Sequence, residues 1–141
     1  MRSILAVLPL LLLAGCSSYR ADLEQVKAVP GDRLLAYQQP VDGSGQIVVN
    51  RDLGMLGGGC YVAVLVDRQV AARIGVGEVA TFQVPAGARV VGIAADEQDE
   101  TLCGKGRLRR ERAVQVAAGE SYRFRIVSEN KEGFAIRPDQ P

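Results

Sequence analysis

The stretch CYVAVLV at residues 60–66 decides the fold class of this 141-residue chain. Continuous apolarity over a run of this length implies a strand that is buried on both faces of a sheet. Asp67, Arg68 and Gln69 follow as a turn, and residues 70–74 return as the partner strand. The pattern therefore predicts a central strand with a neighbouring strand next to it in sequence.

Short β-rich runs continue on both sides of this stretch, about every 8–12 residues, with Gly, Pro or Asp between them. Such spacing is typical of a sandwich or barrel. We expect an all-β domain of about seven strands over residues 45–138. The further β-rich runs are residues 46–50, 78–84, 89–95, 108–117 and 122–126, with a last short strand around Phe134 and Ile136.

The turn Pro85-Ala86-Gly87 separates two of these alternating runs. Pro favours the second position of a type I turn and Gly the fourth. Because strands are predicted directly before and after the turn, we expect a β-hairpin over residues 78–95.

The N-terminal segment indicates export. Arg2 precedes an apolar run over residues 4–14, which ends in Leu-Ala-Gly-Cys at residues 13–16. The run is shorter than the roughly 20 apolar residues that a membrane-spanning helix needs, so it is typical of a cleaved helical signal peptide. It resembles a bacterial lipoprotein signal peptide with its lipobox. An ordinary secretory signal, with a cysteine there by chance, is the alternative.

This resemblance implies cleavage between Gly15 and Cys16 and acyl chains on Cys16, such as palmitate, that anchor the protein in a membrane. Ser17 and Ser18 follow the cysteine. In the enterobacterial sorting pattern an aspartate after the cysteine retains a lipoprotein in the inner membrane. We therefore expect the cell envelope of a Gram-negative bacterium, at the periplasmic face of the outer rather than the inner membrane.

Between the signal and the domain, residues 16–44 are predicted to form the lipidated N-terminus and a linker. A brief helix over residues 22–29 is one option within it. Packing of residues 34–37 on the domain as an extra strand is another. Residues 139–141 are expected to form a tail.

Cys60 and Cys103 are the two cysteines left after Cys16. An even pair in an exported protein predicts a disulfide. Two buried free thiols, or half of a metal site, are the alternatives. A metal site would lack a histidine or further cysteine to complete it, so we expect neither metal nor cofactor.

Charge gives little indication of a partner. Arg2 is the one basic residue before Cys16, so the chain from Cys16 onward has 16 basic and 16 acidic residues. This balance argues against binding nucleic acid. Arg109, Arg123 and Arg125 are predicted to share an outer face that contacts lipid phosphate or peptidoglycan carboxylates. A solvated face paired with glutamates is the alternative.

The acidic residues 96–100 could bind calcium, although a solvated loop tip fits the sequence better. The chain contains no histidine, so the commonest general base is missing. A glycan-acting enzyme with two carboxylates stays chemically possible, but the acidic residues lie in turns and not within apolar strands. We therefore expect no enzyme, with a small-ligand carrier as the alternative.

Residues 64–71 (VLVDRQVA) and 84–91 (VPAGARVV) resemble the PEGA-type domain of bacterial envelope proteins. Those domains have V-D-G where this chain has Val66-Asp67-Arg68, and P-G where it has Pro85 and Gly87 with one residue between. The resemblance implies a small immunoglobulin-like or prealbumin-like antiparallel sandwich. It also implies a non-catalytic structural or interaction module that binds an envelope protein or peptidoglycan.

Overall fold

The computed structural model describes residues 17–54, 59–129 and 133–139. The predicted signal peptide, with its cleavage site at Gly15 and the lipidation site Cys16, lies outside these residues.

The described residues form nine strands and two short 3-10 helices, at Gly31–Arg33 and Leu102–Lys105. The strands are β1 (Lys27–Ala28), β2 (Ser44–Arg51), β3 (Val62–Val66), β4 (Gln69–Ile74), β5 (Glu78–Pro85), β6 (Gly87–Ala95), β7 (Arg109–Val116), β8 (Ser121–Glu129) and β9 (Gly133–Pro138).

These strands build two sheets around one core, which confirms the predicted all-β sandwich. One sheet has the order β1-β5-β2-β8-β9 and the other the order β4-β3-β6-β7. Most neighbours are antiparallel, but β8 runs parallel to β2, and β1 runs parallel to β5. The inward residues of both sheets alternate along their strands and are buried together: Ile47, Val49, Ala80, Phe82, Val84, Phe124 and Ile126 from one sheet, and Val62, Val64, Val66, Val91 and Ile93 from the other.

The predicted buried central strand is confirmed over Val62–Val66, because all five residues of β3 are buried and the strand lies between β4 and β6. Cys60 and Tyr61 precede the strand, and Tyr61 is exposed. A two-residue turn joins β3 to β4. Asp67 and Arg68 have φ values of 47° and 65°, both in the left-handed region. This is the backbone of a type I′ turn, which suits the right-handed twist of the flanking strands.

The predicted hairpin over residues 78–95 is wrong. β5 belongs to the five-stranded sheet and β6 to the four-stranded sheet, so the turn at residues 85–87 carries the chain across the core. Each strand buries one of its faces in the shared core, and the resulting alternation does not record which sheet the strand joins. β7 and β8 are connected across the core in the same way.

Residues 17–44, predicted to contain a linker, are attached to the sandwich at several points. Tyr19 forms an antiparallel bridge with Leu53. β1 pairs with β5 at the edge of the sheet, and Val29 is buried in the core. The described part of this segment is therefore not a free spacer.

The helix considered for residues 22–29 is absent, because these residues form a turn followed by β1. Leu34 forms a bridge with Ala72, and the Leu35 amide donates to the Ala71 carbonyl at 2.8 Å. Packing of residues 34–37 on the domain is thus the correct alternative, although it takes the form of a bridge and not of a strand.

The predicted disulfide is confirmed. Cys60 lies just before β3 and Cys103 lies in the 3-10 helix after β6, and these two strands are antiparallel neighbours with Val62 opposite Ala95. The pairing therefore brings both cysteines to the same end of the sheet, with 5.4 Å between their Cα atoms.

Candidate functional site

The outer face of the five-stranded sheet carries a cavity of about 140 Å³ beside β2 and β8. Arg123 and Arg125 are two residues apart on β8, so they lie on the same face of the sheet, and both line the cavity. The segment before β1 forms the opposite wall. We call this cavity the arginine pocket; its lining includes Arg20, Leu23, Asp52, Arg123, Arg125 and Asp139.

Asp52 holds Arg125 in place. The Nε and Nη2 atoms of Arg125 donate to the two carboxylate oxygens of Asp52 at 2.5 and 2.7 Å. The Oγ of Ser18 donates to the same carboxylate at 2.7 Å. Only 3% of the Asp52 side chain is exposed, so water screens this bidentate pair less than a surface pair. Arg125 is therefore a fixed part of the pocket wall.

A second pair lies at the outer side of the pocket. Arg20 donates two hydrogen bonds of 2.7 Å to Asp139. These bonds lower the pKa of Asp139, and the charge of Arg20 adds to the effect, although partial burial of the carboxyl opposes it. Asp139 is therefore ionised at neutral pH and neutralises the charge of Arg20.

Arg123 supplies the positive charge that the two carboxylates do not neutralise. Its side chain is exposed, and within the described residues no carboxylate or carbonyl accepts a hydrogen bond from its guanidinium. Arginine presents five donors in a planar fork that matches phosphate and carboxylate groups. The pocket can therefore accept an anion at Arg123.

Arg109 does not belong to this face. It lies on β7 of the four-stranded sheet, and its Nη2 is 3.6 Å from Glu111 Oε1. The structure thus brings Arg123 and Arg125 together and leaves Arg109 apart. Arg109 fits the alternative of an exposed arginine near a glutamate.

A second group of arginines, which the sequence analysis missed, lies at the disulfide end of the sandwich. Arg33 and Arg73 stack on the ring of Tyr61, with 4.2 and 5.2 Å from each guanidinium carbon to the ring centroid. Arg33 donates two hydrogen bonds of 2.6 and 2.7 Å to Glu78. Arg73 Nη2 donates to Asp96 at 2.7 Å. Because each charge has an opposite partner, this group stabilises the fold and does not offer a binding site.

Arg51 connects the two sheets at the same end of the sandwich. Its Nη1 donates to the carbonyls of Cys60 and Ile74 at 2.8 and 2.9 Å, and its guanidinium lies 5.2 Å from the centroid of the Phe134 ring. Burial lowers the pKa of Arg51 to about 10, although the charge of Glu78 opposes this. The side chain is therefore still protonated at neutral pH.

The acidic residues 96–100 are only partly a solvated loop tip. Asp96 is 1% exposed and pairs with Arg73, and Asp99 accepts hydrogen bonds from the amide and hydroxyl of Thr101. These bonds from Thr101 lower the pKa of Asp99. Over residues 17–54, 59–129 and 133–139, no group of three or more potential ligands is arranged to hold a metal ion.

These features define a disulfide-bonded β-sandwich with an arginine-lined pocket on one outer face. Comparisons with protein-family models, curated proteins and solved structures find no match for the chain. None of the helical segments in the described part of the chain has the length and apolar character needed to cross a membrane.

Proposed function

We propose that the protein is a lipoprotein of a Gram-negative cell envelope, anchored through acyl chains on Cys16 at the periplasmic face of the outer membrane. The observation that carries the proposal is the Cys60–Cys103 disulfide in a domain that follows the sequence Leu-Ala-Gly-Cys. Disulfides persist in oxidising compartments such as the periplasm and are rare in the cytosol. The bond therefore supports the export that the N-terminal sequence predicts.

Within this proposal the domain is a non-catalytic interaction module, and the arginine pocket is its contact for anionic groups. The state of one partly buried carboxylate, Glu78, supports the non-catalytic part of this proposal. Burial alone would raise the pKa of Glu78, but hydrogen bonds from Arg33 and the Gly75 amide, with the charges of Arg33 and Arg51, hold that pKa below its usual value. A glycosidase needs a carboxyl group with a raised pKa as its general acid, and Glu78 has the opposite property.

The finer fold assignment, an immunoglobulin-like or prealbumin-like sandwich related to PEGA-type domains, is part of the same proposal. The type I′ turn at Asp67 and Arg68 supports it, because this turn lies where the PEGA pattern has V-D-G and favours glycine at its second position.

Replacement of Cys16 tests the anchor. We expect Cys16→Ser to abolish labelling by radioactive fatty acid, to leave an uncleaved precursor and to reduce membrane fractionation, because serine cannot form the thioether to lipid. Ser17→Ala is the matched control and should be acylated normally. If the wild-type protein carries no lipid, or if Cys16→Ser fractionates and matures like the wild type, the proposed function is refuted.

A small-ligand carrier is the second candidate, and one observation favours it. An open groove of about 490 Å³, lined by Leu34, Leu35, Val41 and Pro85 among others, lies within the size range of ligand pockets. Saturable binding of a fluorescent fatty acid that Leu35→Ser weakens would support a carrier. Absence of saturable binding would remove this candidate.

A further inference from the structure

The chain is fixed to the sandwich at Ser18, close behind the predicted lipidation site. The Ser18 amide donates to the Ser128 carbonyl at 3.0 Å, and the Ser128 amide donates to Ser18 Oγ at 2.9 Å. The same Oγ donates to Asp52 at 2.7 Å. Tyr19 then exchanges two backbone hydrogen bonds of 2.9 Å with Leu53. Ser18 is therefore part of the folded domain and not of a spacer.

Only Ser17 lies between this fixed residue and Cys16. An extended chain spans at most about 3.6 Å per residue, so the Cα atom of Cys16 is within about 7 Å of that of Ser18. Acyl chains on Cys16 would thus hold the domain against the membrane, with the surface around Ser18 toward the headgroups. This step rests on the proposed lipidation of Cys16.

Exposed apolar and cationic side chains are found on this part of the surface. Tyr19 is 60% exposed and Leu23 is 95% exposed. Leu23 lines the arginine pocket with Arg20 and Arg123. The pocket adjoins Ser18, because the carboxylate that binds Arg125 in the pocket wall also accepts the Ser18 hydroxyl hydrogen bond.

This combination of side chains suits a bilayer surface. When an exposed leucine enters the membrane interface, its apolar surface is removed from water, which is favourable. Aromatic residues are enriched at the level of the headgroups, and arginines near the surface are attracted to anionic lipids.

We propose that the surface formed by Tyr19, Arg20, Leu23 and Arg123, which we call the attachment face, docks on the bilayer that anchors Cys16. In this orientation Leu23 inserts among the headgroups and Arg123 binds lipid phosphate. β2 has eight residues, so its first residue lies about 26 Å along the strand from the end that adjoins Ser18.

The test uses the lipidated full-length protein in vesicles of phosphatidylethanolamine and phosphatidylglycerol. An NBD probe is attached to Leu23→Cys or, as the matched control, to Val41→Cys near the start of β2; Val41 is 54% exposed. Cys60 and Cys103 are bonded to each other, so the new thiol is the one that reacts when Cys16 is acylated. Nitroxide-labelled lipid should quench the probe at position 23 and leave the probe at position 41 unchanged.

A charge reversal adds a second measurement. In the Leu23→Cys protein, Arg123→Glu should reduce the quenching, whereas Arg109→Glu, on the other sheet, should not. If the protein carries no lipid and does not bind the vesicles, the proposed function and the docking both fail. If it is acylated and bound but positions 23 and 41 are quenched alike, the docking alone is refuted. Shielding of position 23 in cell membranes but not in the vesicles would assign the face to a protein partner and would also refute the docking.

Discussion

Removal of the Cys60–Cys103 disulfide is expected to cause a large loss of stability. Cys60 and Cys103 are 43 residues apart in sequence, and the loop that they close contains β3, β4, β5 and β6. In the loop-entropy model, cross-linking a loop of this length removes about 4 kcal/mol of conformational freedom from the unfolded chain. We expect the double variant Cys60→Ser/Cys103→Ser to lose about that much free energy of unfolding at 25 °C.

Urea denaturation measures this loss. The chain contains no tryptophan, so unfolding is best followed by far-UV circular dichroism. With a slope of about 2 kcal/mol per M, the expected loss lowers the midpoint by about 2 M. Wild-type protein in excess dithiothreitol is the control and should unfold at the midpoint of the double variant, because both lack the same cross-link.

Serine is close in size to cysteine and both cysteines are partly accessible to water, so the substitution itself should add little to the loss. A loss below about 1 kcal/mol with an unchanged slope would refute the loop-entropy argument. It would mean that the folded contacts, such as the hydrogen bond from Arg51 to the Cys60 carbonyl, already maintain this end of the sandwich without help from the bond.

Gly45→Ala should lower the free energy of unfolding by about 1–3 kcal/mol, because the new Cβ would lie 2.5 Å from Val116 Cγ1. Gly31→Ala is the control and should change it by no more than about 0.5 kcal/mol, since no atom lies within 4 Å of its Cβ. Equal melting temperatures for the two variants would contradict this prediction. Arg68→Gly should raise the urea midpoint by the equivalent of up to about 1 kcal/mol, because glycine adopts a φ of 65° without strain, and a lower midpoint would argue against strain in the turn. Glu78→Gln should cost about 3 kcal/mol at pH 7, since it leaves the buried guanidinium of Arg33 without its anion. The pKa of Glu78 is lower in the folded protein than its unfolded value of 4.5, so the contribution of Glu78 to stability is complete above pH 4.5 and is lost as the pH falls through the folded pKa. The stabilities of Glu78→Gln and wild type should therefore converge in acid. A difference that stays constant with pH would contradict the ion pair between Glu78 and Arg33 as its cause.

The strands themselves could be predicted closely from sequence, because alternation with a period of two records which face of a strand is buried. Residues 78–84 were expected to form a strand and β5 spans Glu78–Pro85. The sheet to which each strand belongs could not be predicted in the same way. A tight turn such as that at residues 85–87 is compatible with a hairpin and with a crossing between sheets, and the choice depends on pairing with residues far away in sequence.

The same limit applies to the arginine pocket. Arg123 and Arg125 could be placed on one face because they are two residues apart in one strand. Arg109 could not be excluded, since its position depends on the sheet that β7 joins. Asp52, which pairs with Arg125, follows β2, and Asp139, which pairs with Arg20, follows β9; no local pattern in the sequence marks these carboxylates as part of the pocket.

The crossing of the chain between the two sheets has a consequence for synthesis and for the proposed export. Neither layer consists of one continuous segment: the five-stranded layer takes strands from both halves of the chain, and its middle strand, β2, lies beside β8. A growing polypeptide therefore cannot complete that layer until β8 and β9 have emerged from the ribosome. We expect the nascent chain to stay unfolded for most of its synthesis, and an unfolded chain is the form that a secretion channel can thread.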